Sequence, residues 1–342
     1  MSKTMLAVVK ERPEPGITVK HIPIPETPKG EVKVKVIYGS ICGTDIGIYD
    51  WIPWVQGHLK PPIVIGHEIV GEIIDINGDA SHLKIGDIVS SETHIYDETC
   101  EQCKMGNQHV CDTVQFFGYG RDGGFAEYAT IPIRTTWRND PSIPLKEMSV
   151  QEPLGNAVHA VTKGDVSDKR VLVVGLGPVG MCAVAVANAY GAREVVAIDP
   201  ELYRRELTEK FTNVTTLEKI DTKDFNRFHV VIEASGVPAG IQTSLDAVYP
   251  AGKIVAIGIP KKEITLDWGK YIIDKEITIE SIFGRRIWET WHQTTDLLKS
   301  RKIDLQKIIT HEFELKDFEE AMKIMKSGKC GKILLKINPP QI

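Results

Sequence analysis

The feature that most constrains this chain is RVLVVGLGPVG, residues 170–180. The continuous apolar run RVLVVG reads as a strand buried on both faces. It leads directly into GLGPVG, a G-x-G-x-x-G turn, which opens a stretch of small apolar residues, PVGMCAVAVANAYG, suited to a tightly packed helix. Strand, glycine turn and helix in this order form a phosphate cradle. Gly175 permits the tight turn, Gly177 lets the backbone approach a pyrophosphate, and Gly180 allows the helix to close on the sheet; Pro178 and Val179 lie between them. The helix N-terminus offers free N–H groups to the phosphates. EVVAID then ends at Asp199, nineteen residues after Gly180. A carboxylate there accepts hydrogen bonds from ribose hydroxyls and repels a 2′-phosphate, which favours NAD over NADP. Arg204 and Arg205 follow closely and soften that preference.

The alternation continues through the amphipathic ELYRRELTEKF, the buried strand HVVIEAS (229–235), a helix near 238–248 and the strand GKIVAIGI (252–259). Strand–helix alternation of this kind implies a doubly wound parallel sheet, an α/β fold. The first 150 residues have a different texture. In EVKVKVIY, Val32, Val34 and Val36 alternate with Lys33 and Lys35, the pattern of a half-buried strand. IVGEIIDI (69–76) and FAEYATIP (125–132) are further strands. The last sixty residues hold two helical runs, around WETWHQTTDLLKS and FEEAMKIMKSGK, and the strand GKILLKI. With 342 residues the chain is long for one domain and fits two. A net charge of −5 argues against nucleic-acid binding, and no apolar run approaches the length of a membrane span. The N-terminus has no signal-peptide pattern, so a cytoplasmic location is expected.

Three of the six cysteines fall within twelve residues. In DETCEQCKMGNQHVC, Asp97, Cys100, Cys103 and Cys111 have the spacing of a tetrahedral structural zinc site with one carboxylate ligand; the other reading is a loop of reduced thiols. A second set, Cys42, His67, Glu68 and Glu152, combines thiolate, imidazole and carboxylate, which also suits zinc. These four are far apart in sequence. Read singly, His67 is equally a hydrogen-bonded core histidine and Glu68 a surface strand residue. Cys182 reads as helix packing and Cys330 as a solvent-side turn residue.

Taken together, CGTDIGIYDW, KPPIVIGHEIVGEI, SETHIYDETCEQC, QHVC, GGFAEYA, QEPLGNAV, GLGPVG, GRRIWETW and IITHEFELKDFEEAMKIMKSGKCGK run nearly end to end. They resemble the zinc-containing medium-chain dehydrogenases of the alcohol dehydrogenase superfamily, and SETH and WETW resemble the branch that acts on L-threonine. The resemblance implies a GroES-like β-barrel catalytic domain (1–154), a Rossmann NAD-binding domain (155–284) and a C-terminal segment (285–342) returning to the catalytic domain. Members are homotetramers or homodimers acting on small alcohols, with no nucleic acid or membrane partner. Carried over by position, Cys42, His67, Glu68 and Glu152 match the catalytic zinc ligands, and Asp97, Cys100, Cys103 and Cys111 the structural zinc lobe. Thr44 matches the hydroxyl that takes the substrate proton. Val179, Asp199, Arg204, Ile257, Gly258, Ile259, Ile282 and Phe283 match cofactor contacts.

Three features depart from the pattern. Asp97 replaces a cysteine, Gly47 replaces the histidine that completes the proton relay, and the stretch 211–228 is short. Gly47 cannot carry a proton, which leaves the ribose hydroxyl, His94 or His58 for the outward route, and it is expected to widen the pocket beside the zinc. The expected reaction is hydride transfer from a secondary alcohol to NAD. L-Threonine is the first substrate, with Arg285 or Arg286 for its carboxylate; a polyol, sugar or cyclitol is the alternative. Asp45 is a candidate to orient His67. The competing class is a non-catalytic nucleotide-binding protein, with NAD bound but no zinc at Cys42.

Overall fold

The computed structural model describes residues 3–260 and 262–340. The chain forms two compact units, Met1–Glu152 with Ile309–Ile342, and Pro153–Ile308.

The first unit is built on strand Glu31–Ser40. Val32, Val34 and Val36 are fully buried, while Lys33 and Lys35 take the outer positions. This strand pairs antiparallel with Ile69–Asn77, with Tyr128–Pro132 and with the C-terminal strand Lys332–Lys336. The full sheet has seven strands and extends on one side through Ile88–Ser91 to Thr136–Arg138, and on the other to Ile309–Glu314. A three-stranded sheet (Thr18–Pro23, Thr4–Lys10, Ile63–Val64) and the pair His94–Ile95 with Gln115–Phe116 complete it. Phe125 holds the turn that carries His67: a Cβ on Gly66, whose φ is +97°, would lie 2.3 Å from its ring. Position 66 is therefore closed to any side chain.

The second unit carries six parallel strands in the order Thr215–Leu217, Glu194–Ile198, Arg170–Val174, Phe228–Glu233, Val248–Ala256, Thr278–Ser281. Numbered along the chain this is 3-2-1-4-5-6, the Rossmann order, with its switch point at strand Arg170–Val174. Pro178–Ala189 is the helix after the glycine turn, with Gly177 as N-cap and Pro178 in its first turn, where a missing N–H costs nothing.

Two expectations are corrected. Residues 285–308 lie with the second unit, and only 309 onward returns to the first. Burial accounts for this: helix Glu289–Lys299 buries Trp291, Leu297 and Leu298, and Arg285 packs on Gly155. Cys330 is buried with its Sγ 3.7 Å from Met325 Sδ, so it is a core residue of the first unit. Cys182 is buried in its helix, as read from its neighbours. Among the described residues no helix is long and apolar enough to cross a membrane.

The glycine turn yields a direct test. A Cβ on Gly180 would lie 1.9 Å from the Gly175 carbonyl oxygen, a backbone atom that cannot rotate away. Gly180→Ala is expected to cost about 1–3 kcal/mol of stability, the scale of overpacking, and to weaken nucleotide binding. Urea unfolding and NADH fluorescence titration measure the two, and wild-type values in both would show that helix and turn are not in contact.

Candidate active site and metal centres

Cys42 ends strand Glu31–Ser40 two residues on and caps helix Gly43–Asp50. The third helical residue is Asp45, whose Oδ2 accepts the Cys42 N–H at 2.8 Å. The thiol is thereby fixed at the start of the helix. Thr44 follows in the first turn, with Oγ1 3.8 Å from Cys42 Sγ.

His67 and Glu68 precede strand Ile69–Asn77 and are both buried. The ligand atoms of Cys42, His67 and Glu68 all lie within 4.8 Å of one another. Burial alone would lower the pKa of His67. The charge of Cys42, a hydrogen bond to it, Asp45 and Glu152 outweigh burial and raise the pKa to about 10. Metal binding here therefore displaces a proton. Asp45 Oδ1 faces His67 Nδ1 at 3.9 Å, beyond hydrogen-bond length, and neither atom has a hydrogen-bond partner. Burial pushes the Asp45 carboxyl up to about 6.

Glu68 is held from behind. Its Oε2 accepts from Ser40 Oγ and from the ammonium of Lys332, which also donates to the Ile41 carbonyl at 2.9 Å. Lys332 is fully buried; burial alone would lower its pKa, but Glu68 and Cys42 hold it up. Glu68 Oε1 is buried with no hydrogen-bond partner. An acceptor left so is costly, and a cation would satisfy it. The donor set and this orphaned oxygen both fit zinc.

Glu152 lies outside that three-residue set. It is buried in the first turn of helix Gln151–Gly164 and accepts from Thr93 Oγ1 at 3.1 Å. Its charge nevertheless reaches His67 and Lys332. His94, which follows Thr93 in sequence, is also buried. Both its backbone N–H and its Nδ1 bond to Glu92 Oε1, at 2.9 and 2.8 Å, which makes Nδ1 the protonated nitrogen. Lys332, Ser40, Glu92 and Thr93 were missed as site residues from sequence. Lys332 is 290 positions from Cys42, and nothing in KSGKCGK marks it.

Gly47 is buried, and the room beside it is taken. A Cβ there would lie 3.0 Å from Ile52 Cδ1 and 3.6 Å from Val55 Cγ2. The widened pocket expected from the glycine is thus filled by Ile52. His58 is exposed and stacked on Trp54, its Nδ1 2.8 Å from the Trp54 carbonyl.

Asp97, Cys100, Cys103 and Cys111 also bring their ligand atoms within 4.8 Å of one another. Cys100 Sγ and Cys111 Sγ are 3.8 Å apart, unbridged. A tetrahedron with zinc–sulfur arms of about 2.3 Å has edges of about 3.8 Å, so the thiols fit that ion. Asp97 is fixed by its own loop: Oδ1 accepts Thr99 N and Cys100 N at 2.7 and 3.0 Å, and Oδ2 accepts Thr113 Oγ1 at 2.7 Å. These bonds, that from Cys100 foremost, hold its carboxyl well below the usual carboxylate range.

In the second unit Gly175, Gly177, Pro178, Val179 and Gly180 form the turn and helix start. Asp199 is buried at the end of its strand; Oδ2 accepts Leu176 N and Oδ1 accepts Glu201 N, both at 2.8 Å, and Arg204 lies 3.5 Å away. Arg205 turns back onto the Asp199 and Pro200 carbonyls. The N–H groups of Ile257 and Gly258 bond to the Glu233 carbonyl, and Ile259 and Phe283 are exposed while Ile282 is buried. Glu233 itself was missed: its carboxylate gathers Ser235 and Gly236 N–H at 2.9 and 3.1 Å, and so shapes the loop after its strand. Of the two arginines, Arg285 is buried, donating to Asn156 Oδ1 at 3.2 Å, while Arg286 is partly exposed and pairs with Glu289 at 3.2 Å.

Comparison with known proteins agrees with this layout. Residues 28–141 match the alcohol dehydrogenase GroES-like domain, and residues 178–300 match the zinc-binding dehydrogenase domain. L-Threonine 3-dehydrogenase of Pyrococcus horikoshii is 41% identical over 98% of this chain and 99% of its own. Among solved structures, galactitol-1-phosphate dehydrogenase of Escherichia coli superposes with a TM-score of 0.88 at 26% identity, covering 97% of this chain and 100% of that one. An alcohol dehydrogenase of Escherichia coli CFT073 complexed with NADH has the same TM-score and identity, covering 98% and 100%.

Lys332→Met would leave Glu68 buried without its counter-charge. In metal-free protein it is expected to cost about 3–5 kcal/mol in urea unfolding, the scale for breaking a buried pair, with Lys332→Met/Glu68→Gln recovering most of the loss. If the single variant unfolds at the wild-type midpoint, the pair is solvated and does not hold the turn.

Proposed function

As a member of the zinc-binding dehydrogenase family with an alcohol dehydrogenase GroES-like domain, this chain is an alcohol dehydrogenase-type oxidoreductase, and we propose that it oxidises the secondary alcohol of L-threonine with NAD, giving 2-amino-3-oxobutanoate and NADH. The observation that carries this is the convergence of Cys42, His67 and Glu68 beside Thr44, in a chain that matches a threonine dehydrogenase from end to end.

Zinc on Cys42, His67 and Glu68, with Glu152 as a further ligand, would supply the positive charge that makes an alcohol proton acidic. The chain's own residues do the rest. Thr44 Oγ1 accepts the substrate proton while releasing its own, since a hydroxyl both donates and accepts. Thr44 cannot pass the proton to position 47. His94 Nδ1 is occupied by Glu92, which directs its other nitrogen to any substrate contact. In the second unit the Gly175–Gly180 turn would hold the pyrophosphate of NAD and Asp199 its adenosine ribose. The lobe of Asp97, Cys100, Cys103 and Cys111 would hold a second, structural zinc. Because Ile52 fills the space beside Gly47, a bulkier polyol gains no room there.

Steady-state assays with NAD should show turnover of L-threonine, and a drop of about 100-fold or more in kcat for Thr44→Val, the scale of a lost proton-transfer group. Turnover of sorbitol, galactitol phosphate or inositol without turnover of threonine would replace this substrate with the polyol class. Asp199→Asn removes the charge and keeps only one of the two oxygens that accept from Leu176 N and Glu201 N. It should raise the NADP-to-NAD ratio of kcat/KM by about tenfold, the scale of one charged hydrogen bond; an unchanged ratio would locate cofactor choice elsewhere.

A further inference from the structure

Lys10 is a lysine with no access to solvent. It ends strand Thr4–Lys10, and its Nζ donates to three carbonyls, of Glu14 at 2.6 Å, Gly16 at 2.9 Å and Tyr49 at 3.3 Å. An ammonium has three donors, so this one is saturated. The Trp51 ring lies over it, with its centroid 5.1 Å away. Tyr49 and Trp51 stand at the C-terminal end of helix Gly43–Asp50, which starts at Cys42 and carries Thr44 in its first turn. We propose that Lys10 is a positioning residue: its charged ammonium clamps that end of the helix to loop 14–16, and through the helix sets Thr44 beside Cys42.

The helix has eight residues, about two turns, so a hold on one end constrains the other. The C-terminal end of a helix carries partial negative charge and favours a cation, yet the last turn of this one has no basic residue. Lys10 brings the cation from another part of the chain. From the same loop, Gly16 N–H donates to the Tyr49 carbonyl at 2.8 Å. Helix Phe318–Ser327 grips this turn as well. Tyr49 Oη donates to Glu319 at 3.0 Å, and Lys326 pairs with Asp50 at 2.6 Å and lies over the Tyr49 ring. The charges around Lys10 are therefore Glu14, itself 3.7 Å from Arg12, then Asp50 on the helix, with Lys326 and Glu319 behind them.

Burial lowers the Lys10 pKa to about 8, against the opposing pull of Asp50 and Glu14. A neutral amine offers two N–H groups to three carbonyls, so deprotonation frees one of them. The folded value lies below the ordinary 10.5, so between about 8 and 10.5 the unfolded chain binds more protons. In that window this group makes the fold more stable as pH rises, not less. Release of the clamp is thus a local event, separate from unfolding.

The role of Lys10 in the reaction rests on the proposed function, and the experiment separates the two. The clamp itself is read by fluorine NMR of metal-free protein labelled with fluorotryptophan, with Trp51→Phe identifying the Trp51 resonance. In wild type that resonance should titrate with a midpoint near pH 8, and in Lys10→Arg, which stays charged, it should not. A flat wild-type titration would overturn the clamp whether or not any variant folds. At neutral pH Lys10→Met should lower kcat for L-threonine about tenfold, the scale of one hydrogen bond from a charged group, with KM for NAD unchanged. The gap to wild type should close as pH passes about 8. In a Thr44→Val background Lys10→Met should cause no further loss. A gap that does not change with pH, or a loss that adds to that of Thr44→Val, would overturn the positioning role. If wild type oxidises a polyol and no threonine, the substrate assignment fails, and the same comparison on that polyol decides the role of Lys10.

Discussion

The buried pair of Lys332 and Glu68 is the interaction on which the first unit's site depends. Lys332 opens the strand that returns after the whole second unit has been completed, and it lands beside Ser40. Its ammonium ties together the Ile41 carbonyl, one residue before the Cys42 thiol, and the carboxylate next to His67. One cation thus fixes the two segments that must meet for three donors to converge. Such a pair is not an efficient source of stability, because desolvating both charges offsets most of their attraction. Its value lies in geometry: a hydrophobic pair could pack the same space but could not aim Glu68 Oε1 outward with nothing else to bind.

Behind the site runs a band of buried polar side chains, Ser90, Glu92, Thr93, His94, Asn139, Gln151 and Glu152. Buried polar groups are costly unless satisfied, and here Glu92 bonds His94, Thr93 bonds Glu152, and Ser90, Asn139 and Gln151 bond one another, while Gln151 Oε1 is left without a hydrogen-bond partner. The band explains how a helix start holds Glu152 beside donors that come from other parts of the chain. It also explains why SETH is so polar a sequence for a segment with almost no solvent access.

The Rossmann unit was legible because its signals are local. Strand, glycine turn, helix and acidic strand end all sit within thirty residues, and each is dictated by its own backbone. The lobe was legible for the same reason, as its spacing alone closes a tetrahedron. The Cys42 site was not legible from spacing, since Cys42, the His67–Glu68 pair and Glu152 are twenty-five or more residues from one another, and only resemblance brought them together. Lys332 and Thr93 were invisible because a lysine after a Gly-Lys-rich run and a threonine between two short strands carry no mark of burial. The C-terminal boundary was misplaced at 285 because amphipathic helices of both units look alike in sequence; only the burial of Trp291 and the packing of Arg285 on Gly155 assign the first of them.

The two substitutions that set this chain apart are treated differently by the fold. Asp97 stands in for a thiolate, and its loop supplies three donors that keep it ionised and aimed beside the cysteines. The constraint there is charge and geometry at the fourth corner, and a carboxylate meets it. Gly47 stands in for an imidazole, and the fold closes over the loss with Ile52. An apolar side chain can replace the volume of a histidine but none of its proton chemistry. What the fold keeps around Cys42 is therefore the convergent donor set, and the proposed oxidation needs an outward proton route that does not use position 47. In that reaction a proton leaving Thr44 would travel by groups other than those of helix Gly43–Asp50, and the oxidation balances when that route ends in water.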